Sequence, residues 1–171
     1  SDDAEFGRIF DAYCAHPLAE LIVHPRVRED FYKGAPRWEP YGEALARAPF
    51  PVAYNGDIFA PEDLEALLSA YPATRHVMVG RGVLTNPALP RQLRGGGPMT
   101  PEELHAFHDR LFDVYEADIG GNAVYRLKEW WSYARYAFAD PVAVHRAVRK
   151  ARRVEDYRAA AEQVFCSELL A

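Results

Sequence analysis

The sequence is poor in cysteine. Cys14 and Cys166 are the two thiols in 171 residues, far apart and without CxxC spacing. Both read as ordinary thiols of a reducing cytoplasm, with a single long-range disulfide as the alternative. No apolar run approaches the roughly 18–20 residues of a membrane span. No charged segment followed by an apolar stretch opens the chain, so no signal peptide is read there. A cationic excess is also missing. The formal net charge of −5 argues against a protein that coats nucleic acid indiscriminately, while leaving room for a local basic face. Internal repeats and low-complexity tracts are absent. So is an initiator methionine: Ser1-Asp2-Asp3 has the make-up of a helix N-cap, and the chain reads as a fragment.

What is present suits a folded core. Hydrophobic residues make up 49% and aromatic residues 13% of the chain, which argues against disorder, and the length suits one domain or a domain and a half. Asp2 or Asp3 can cap a helix over 4–15, with Phe6, Ile9, Phe10 and Tyr13 at helical spacing. Strands are predicted over 18–23, 51–54 and 76–79. Helices are predicted over 39–47, 61–70 and 87–93. Strands alternating with helices mean a parallel sheet with crossover connections.

Gly95-Gly96-Gly97-Pro98 is the clearest boundary. Beyond it the pattern is all helical. Thr100 with Glu103 forms a capping box, and Pro101 suits the first helical position. That helix runs to about 118, and three more are predicted over 123–138, 141–152 and 155–168. Short connections between them predict an antiparallel bundle.

Two successive strands end in glycine turns that precede helices: Asn55-Gly56 and Gly80-Arg81-Gly82. Glycines let backbone N–H groups approach a ligand, helix starts favour anions, and Arg81 adds a charged fork of donors. In (β/α)₈ barrels the common phosphate site lies in the loops after the seventh and eighth strands, and these two turns have that relationship. Two plain turns are the alternative.

The residues also resemble a known family. His24-Pro25-Arg26-Val27-Arg28-Glu29-Asp30-Phe31-Tyr32-Lys33-Gly34 followed by Trp38 resembles the HxRTRxxxYxG…W segment of tRNA-dihydrouridine synthases. Asn55-Gly56-Asp57-Ile58, Val79-Gly80-Arg81-Gly82 and Asn86-Pro87 resemble its NGDI and GRG…NP motifs, in order. Arg126-Leu127-Lys128-Glu129-Trp130 with Ser132-Tyr133 is similar to the basic-aromatic helix of its C-terminal domain.

The resemblance implies reduction of the C5–C6 bond of uridines in tRNA, with FMN as hydride carrier and NADPH as reductant, in the cytoplasm. It implies that Asn55, Gly56, Gly80 and Arg81 hold the FMN phosphate, within an Asn55-Gly56-Asp57 cofactor-binding turn. His24 would lie near the flavin, and Arg26 would face the barrel mouth, near the target base or its phosphates.

One departure stands out. The family's proton donor is a cysteine in an N-x-G-C-P segment, and nothing here resembles it, so no catalytic residue is assigned. A full barrel needs roughly 250 residues. The expected architecture is therefore α/β plus all-α. Residues 1–97 are read as about three βα units, the C-terminal portion of a TIM (β/α)₈ barrel. Residues 98–171 are read as a four-helix bundle-like tRNA-binding domain. Alone the chain is expected to be inactive, with open strand edges that self-associate or take up the missing half barrel.

Between Gly120 and Arg153 there are eight Lys or Arg and two acids. Arg146, Arg149, Lys150 and Arg153 fall at helical spacing on one face, and Arg126, Lys128 and Arg135 lie on the preceding helix. These seven, with Arg26, are the predicted RNA contacts; a merely solvated helix face is the alternative. Trp131, Leu127, Val124 and Phe138 fit a core stripe, whereas Trp130 or Tyr125 is open to base stacking. His105 and His108 have metal-ligand spacing but no evident third ligand, so no metal site is assigned and an exposed or capping role is expected. Rival readings are another FMN or sugar-phosphate barrel enzyme and a non-catalytic RNA-binding module.

Overall fold

The computed structural model of the protein describes residues 3–27, 34–167 and 169. It divides into two compact units, 1–80 and 81–171.

In the first unit, helix α1 (Asp3–Cys14) leads to strand β1 (Leu21–Val23). Helix α2 (Trp38–Arg47) connects β1 to β2 (Val52–Tyr54), and α3 (Pro61–Ala70) connects β2 to β3 (His76–Val77). The strands form a parallel sheet in the order β1-β2-β3, as the alternation requires: parallel neighbours need crossover connections. Val23 is paired with Tyr54, and Tyr54 with Val77. All three β2 residues are buried, as suits a central strand covered on both faces.

Beneath β2 lies an aromatic cluster. Tyr41 meets Tyr54 and Tyr71 edge-on, with centroids 5.0 and 5.6 Å apart, and Trp38 meets Tyr71 likewise at 6.1 Å. The Tyr41 hydroxyl donates to Thr74 Oγ1 (2.8 Å), so both buried polar groups are satisfied. Helix α3 starts as its sequence dictates. Pro61 occupies a first-turn position, and the Asp63 carboxylate accepts from the Phe59 and Ala60 N–H groups (2.8 and 3.0 Å).

The strands are shorter than the apolar runs suggested. The run over 18–23 pairs from Leu21 only, because Leu18 turns back on the His16 carbonyl. Past β3, Met78 keeps one bond to the Tyr54 carbonyl (2.7 Å) before the chain departs.

The second unit opens with two short helices, α4 (Arg81–Thr85) and α5 (Leu89–Gln92). A single helix over 87–93 had been expected, with the glycine segment as a turn; instead Gly82 is buried within α4. Asn86 separates the two. Its N–H reaches the Gly82 carbonyl, and its Oδ1 accepts from the Ala88 N–H (3.0 Å).

Four longer helices follow: α6 (Pro101–Ile119), α7 (Ala123–Ala134), α8 (Pro141–Arg149) and α9 (Val154–Phe165). Thr100 and Glu103 form the expected capping box on α6. Gly120, at φ 58°, ends that helix in a backbone region that favours glycine. Asp140 caps α8 by accepting from the Val142 and Ala143 N–H groups. Leu104, Phe112, Leu127, Trp131, Val148 and Tyr157 share one buried core among these helices. Helix α4 packs on α7. Hence the compact division falls after Gly80, whereas the glycine-rich stretch of the sequence lies at 95–97.

Candidate functional site

The parallel sheet gathers its strand ends on one edge. His24 and Arg26 follow β1, Asn55, Gly56 and Asp57 follow β2, and Gly80 follows β3.

Two cross-links tie the first two ends together. His24 Nδ1 lies 2.5 Å from the Asn55 carbonyl oxygen, so this nitrogen carries the proton and donates. Arg26 Nη2 pairs with the Asp57 carboxylate, and the Arg26 side chain is 3% exposed. The Asn55 N–H is committed to the Val23 carbonyl (2.9 Å). By contrast, no group among the described residues accepts from the Gly56 N–H, which leaves a backbone donor at the half-exposed turn. A Cβ on Gly80 would meet nothing within 4 Å.

Arg26 was expected to face an RNA target. Buried and engaged by Asp57, it joins two strand ends and leaves the exposed cationic set. Asp57 likewise uses its carboxylate on Arg26. Residues Arg28 to Lys33 of the same motif, and Asp2, lie outside the described residues.

Sequence reasoning missed Tyr54 and its partners. Trp38 Nε1 donates to the Tyr54 hydroxyl (3.1 Å), and burial pushes the phenol's pKa up. The tryptophan of the His24–Trp38 segment and the turn after β2 are thus parts of one construction. Nothing in the spacing of Trp38 and Tyr54, 16 residues apart, announces it.

In the second unit Arg81 opens α4 and is half-buried. The cations of α7 and α8 divide into two groups. Arg146, Arg149 and Lys150 are exposed at the end of α8, with no acid paired to them among the described residues. Cations at a helix C-terminus are also favoured by the helix dipole.

The other four are engaged. Arg126 pairs with Glu129 (3.1 Å). Arg135 lies 4.7 Å from the Tyr136 ring centroid and donates to its hydroxyl (2.8 Å). Lys128 donates to the Ala151 carbonyl, and burial lowers its pKa. Arg153 is the N-cap residue of α9, beside Glu155 and Asp156 at 3.5 and 3.7 Å. The expected helix over 141–152 ends at Arg149, where Lys128 holds the following turn, so Arg153 does not share the face of Arg146 and Arg149.

Trp130 is 6% exposed and belongs to the core, so of the two rings open to base stacking it is not the available one. Tyr125 is 55% exposed, with the Lys128 ammonium 5.5 Å from its ring centroid. Trp131, Leu127, Val124 and Phe138 are buried together as their spacing predicted.

His108 is buried, not exposed. Its Nε2 meets the Tyr157 hydroxyl (2.7 Å) and its Nδ1 meets Asp109 (2.9 Å), while Trp131 Nε1 donates to the same hydroxyl (2.8 Å). The phenol oxygen accepts from Trp131 and gives its own proton to Nε2, so Nδ1–H donates to Asp109. His105 stacks on Phe165 at 4.2 Å.

No helix among the described residues is long and apolar enough to cross a membrane. A family model for dihydrouridine synthase matches residues 2–112. Three relatives bear the name tRNA-dihydrouridine(16) synthase. That of Cupriavidus necator is 29% identical over 155 residues, covering 80% of this chain and 46% of the relative. That of Yersinia pestis is 28% identical over 167 residues, covering 96% and 53%. That of Escherichia coli strain K12 is 28% identical over 164 residues, covering 94% and 52%. The chain spans about half the length of the curated relatives it matches. With a family match over residues 2–112, more than half of its length, the chain belongs to the dihydrouridine synthase family.

Proposed function

We propose that the chain is the C-terminal portion of a flavin-dependent tRNA-dihydrouridine synthase, acting on tRNA in the cytoplasm. The observation that carries this reading is the edge where His24, Asn55, Gly56 and Gly80 end three parallel strands, in a chain of this family. The sheet would supply the last three strands of a (β/α)₈ barrel, and the helices from α6 onward would form the tRNA-binding domain.

The residues fit a phosphate. Among the described residues the Gly56 N–H has no acceptor, and the space about Gly80 is open. In this reading Asn55, Gly56, Gly80 and Arg81 hold the FMN phosphate. His24, its Nδ1 tied to the Asn55 carbonyl, presents its ring beside the flavin. When bound, FMN supplies the hydride that NADPH has delivered to it. Arg26 and Asp57 brace the two strand ends that carry these groups.

A uridine in folded tRNA is stacked or paired and must swing out to react. The remaining surface grips the RNA by shape and phosphate, and Arg146, Arg149 and Lys150 offer charge that no acid among the described residues neutralises. The position in the relatives' names makes uridine 16 the first one to test. The half-exposed Ile22 on β1 and Met78 after β3 mark edges where further barrel strands, or a second copy, would add.

The test is binding and turnover with the chain as it stands. Binding to tRNA is expected to weaken on Arg149→Glu with Lys150→Glu, and its salt dependence to fall by about one unit of slope per lost contact. No dihydrouridine is expected from the chain alone, because it lacks the N-x-G-C-P segment. Affinity for tRNA unchanged by the reversal, or turnover without added protein, would refute the reading.

A further inference from the structure

The glycine of the Asn55-Gly56-Asp57 turn is not there for its backbone angle. Positive φ occurs at Gly34, Gly95 and Gly120 and not at Gly56. A crowded Cβ position is the remaining reason. A Cβ at residue 56 would lie 2.0 Å from the Tyr54 hydroxyl oxygen, 2.2 Å from its Cζ and 2.7 Å from its Cε1. These are impossible contacts, and they come from the protein itself, two residues earlier in the chain.

The phenol has nowhere to retreat. It is fully buried. Trp38 Nε1 donates to its hydroxyl (3.1 Å), and Tyr41 meets its ring edge-on at 5.0 Å. Trp38 and Tyr41 are fixed in turn. Tyr71 donates to the Trp38 carbonyl (3.2 Å) and packs edge-on against both rings, while Tyr41 donates to Thr74. Gly56 therefore rests on a rigid aromatic support. Among the described residues no group accepts from its N–H.

We propose that Tyr54 is a positioning residue for the anion-binding turn: clamped by Trp38 and Tyr41, its phenol fills the side-chain space of Gly56 and holds the Gly56 N–H available to a phosphate. This deepens the flavin reading above and rests on it for the identity of the anion. The Tyr54–Gly56 pairing itself stands on packing alone.

The experiment combines a double-mutant cycle with amide spectroscopy on this chain. Gly56→Ala is expected to lower the melting temperature by several degrees. In a Tyr54→Ala background the same substitution should lower it little further, because the ring it collides with is gone. An equal loss in both backgrounds overturns the pairing.

If Tyr54→Ala does not fold, Trp38→Phe decides, since it removes the donor and keeps a ring. Exchange of the Asn55 and Met78 amides, which are bonded to the Val23 and Tyr54 carbonyls, is then expected to quicken about tenfold, with that of α3 unchanged; unchanged exchange at both overturns the proposal.

FMN and inorganic phosphate are titrated against the Gly56 amide resonance. FMN should shift it, and Trp38→Phe should weaken that binding about tenfold in a protein that remains folded. Equal FMN affinity in both proteins overturns the positioning role. If FMN leaves the wild-type resonance unmoved, the flavin reading fails for this chain, while the mutant cycle still decides whether Tyr54 sets the turn.

Discussion

Arg26 and Asp57, 31 residues apart, form an ion pair that joins the segment after β1 to the turn after β2, and the Arg26 side chain is 3% exposed. Removing Asp57 takes a carboxylate away from a guanidinium in a nearly dry place. Asp57→Ala is expected to cost about 3 kcal/mol in urea denaturation, near the low end for buried pairs because Asp57 keeps some solvent contact. Replacing both, as Arg26→Met with Asp57→Leu, should cost less than Asp57→Ala alone. Added salt should change the wild-type value little, since buried pairs are poorly screened. A cost near zero for Asp57→Ala would show that the pair does not hold the strand ends.

His108 makes the second unit sensitive to acid. Burial lowers its pKa, and Asp109 opposes this without reversing it. The groups around it are Asp109 and His105 of α6, Tyr157 and Glu162 of α9, and the two indoles of α7. In the unfolded chain the imidazole titrates near 6.5. Below that value the unfolded state binds the extra proton and the folded state does not. Stability is therefore full above about 6.5 and falls as the pH drops, by at most about 1.4 kcal/mol per unit. Urea midpoints between pH 4.5 and 8 measure this. His108→Gln should flatten the profile, and an unchanged slope in that variant would assign the acid sensitivity elsewhere.

Lys128 separates a structural cation from a binding one. Its ammonium closes the turn after α8 by donating to the Ala151 carbonyl. Lys128→Met is expected to lower stability by about 1 kcal/mol, the loss of a partly exposed charged hydrogen bond. Its effect on tRNA affinity should be much smaller than that of Arg149→Glu. The reverse ranking in a binding titration would return Lys128 to the RNA-contacting set.

At the start of α6, Arg91 and Glu103 form a two-pronged pair at 2.6 and 2.7 Å. This pair, with the Thr100 N–H, holds the Glu103 carboxyl down to about 2. The carboxylate's stabilising contribution is thus present above the ordinary carboxylate range and lost as pH falls through about 2. Arg91→Ala should return the NMR titration midpoint of Glu103 toward the ordinary value near 4.3. Thr100→Ala should cost about 1 kcal/mol through the lost cap. A Glu103 midpoint unmoved by Arg91→Ala would make the pair a contact without electrostatic consequence.

Much of the local structure was legible in the sequence, because its causes lie within a few residues. Helix α3 begins and ends where Pro61, Asp63 and the apolar spacing put it, and Thr100 with Glu103 marks the start of α6. The core stripe Val124, Leu127 and Trp131 follows from a repeat of 3.6. Trp130 was less legible, since adjacency to Trp131 tells nothing about which neighbours cover it. Strand ends were less legible too. Leu18, Ala19, Met78 and Val79 are apolar enough to pair, but only the opposite strand decides where pairing stops.

The sequence by itself determined the alternation of strands and helices, the helix starts and the motifs that mark the family, because propensity, capping and spacing act along the chain. Only the tertiary structure decided which of the chemistry-bearing residues are available. Arg26 is consumed by Asp57, Lys128 by Ala151 and His108 by Tyr157, across 31, 23 and 49 residues. It also decided that Gly56 answers to Tyr54. A charge or a glycine in a sequence states what a residue can do. Its partner is set by packing between distant segments, where the cost of leaving a buried polar group unpaired selects one arrangement.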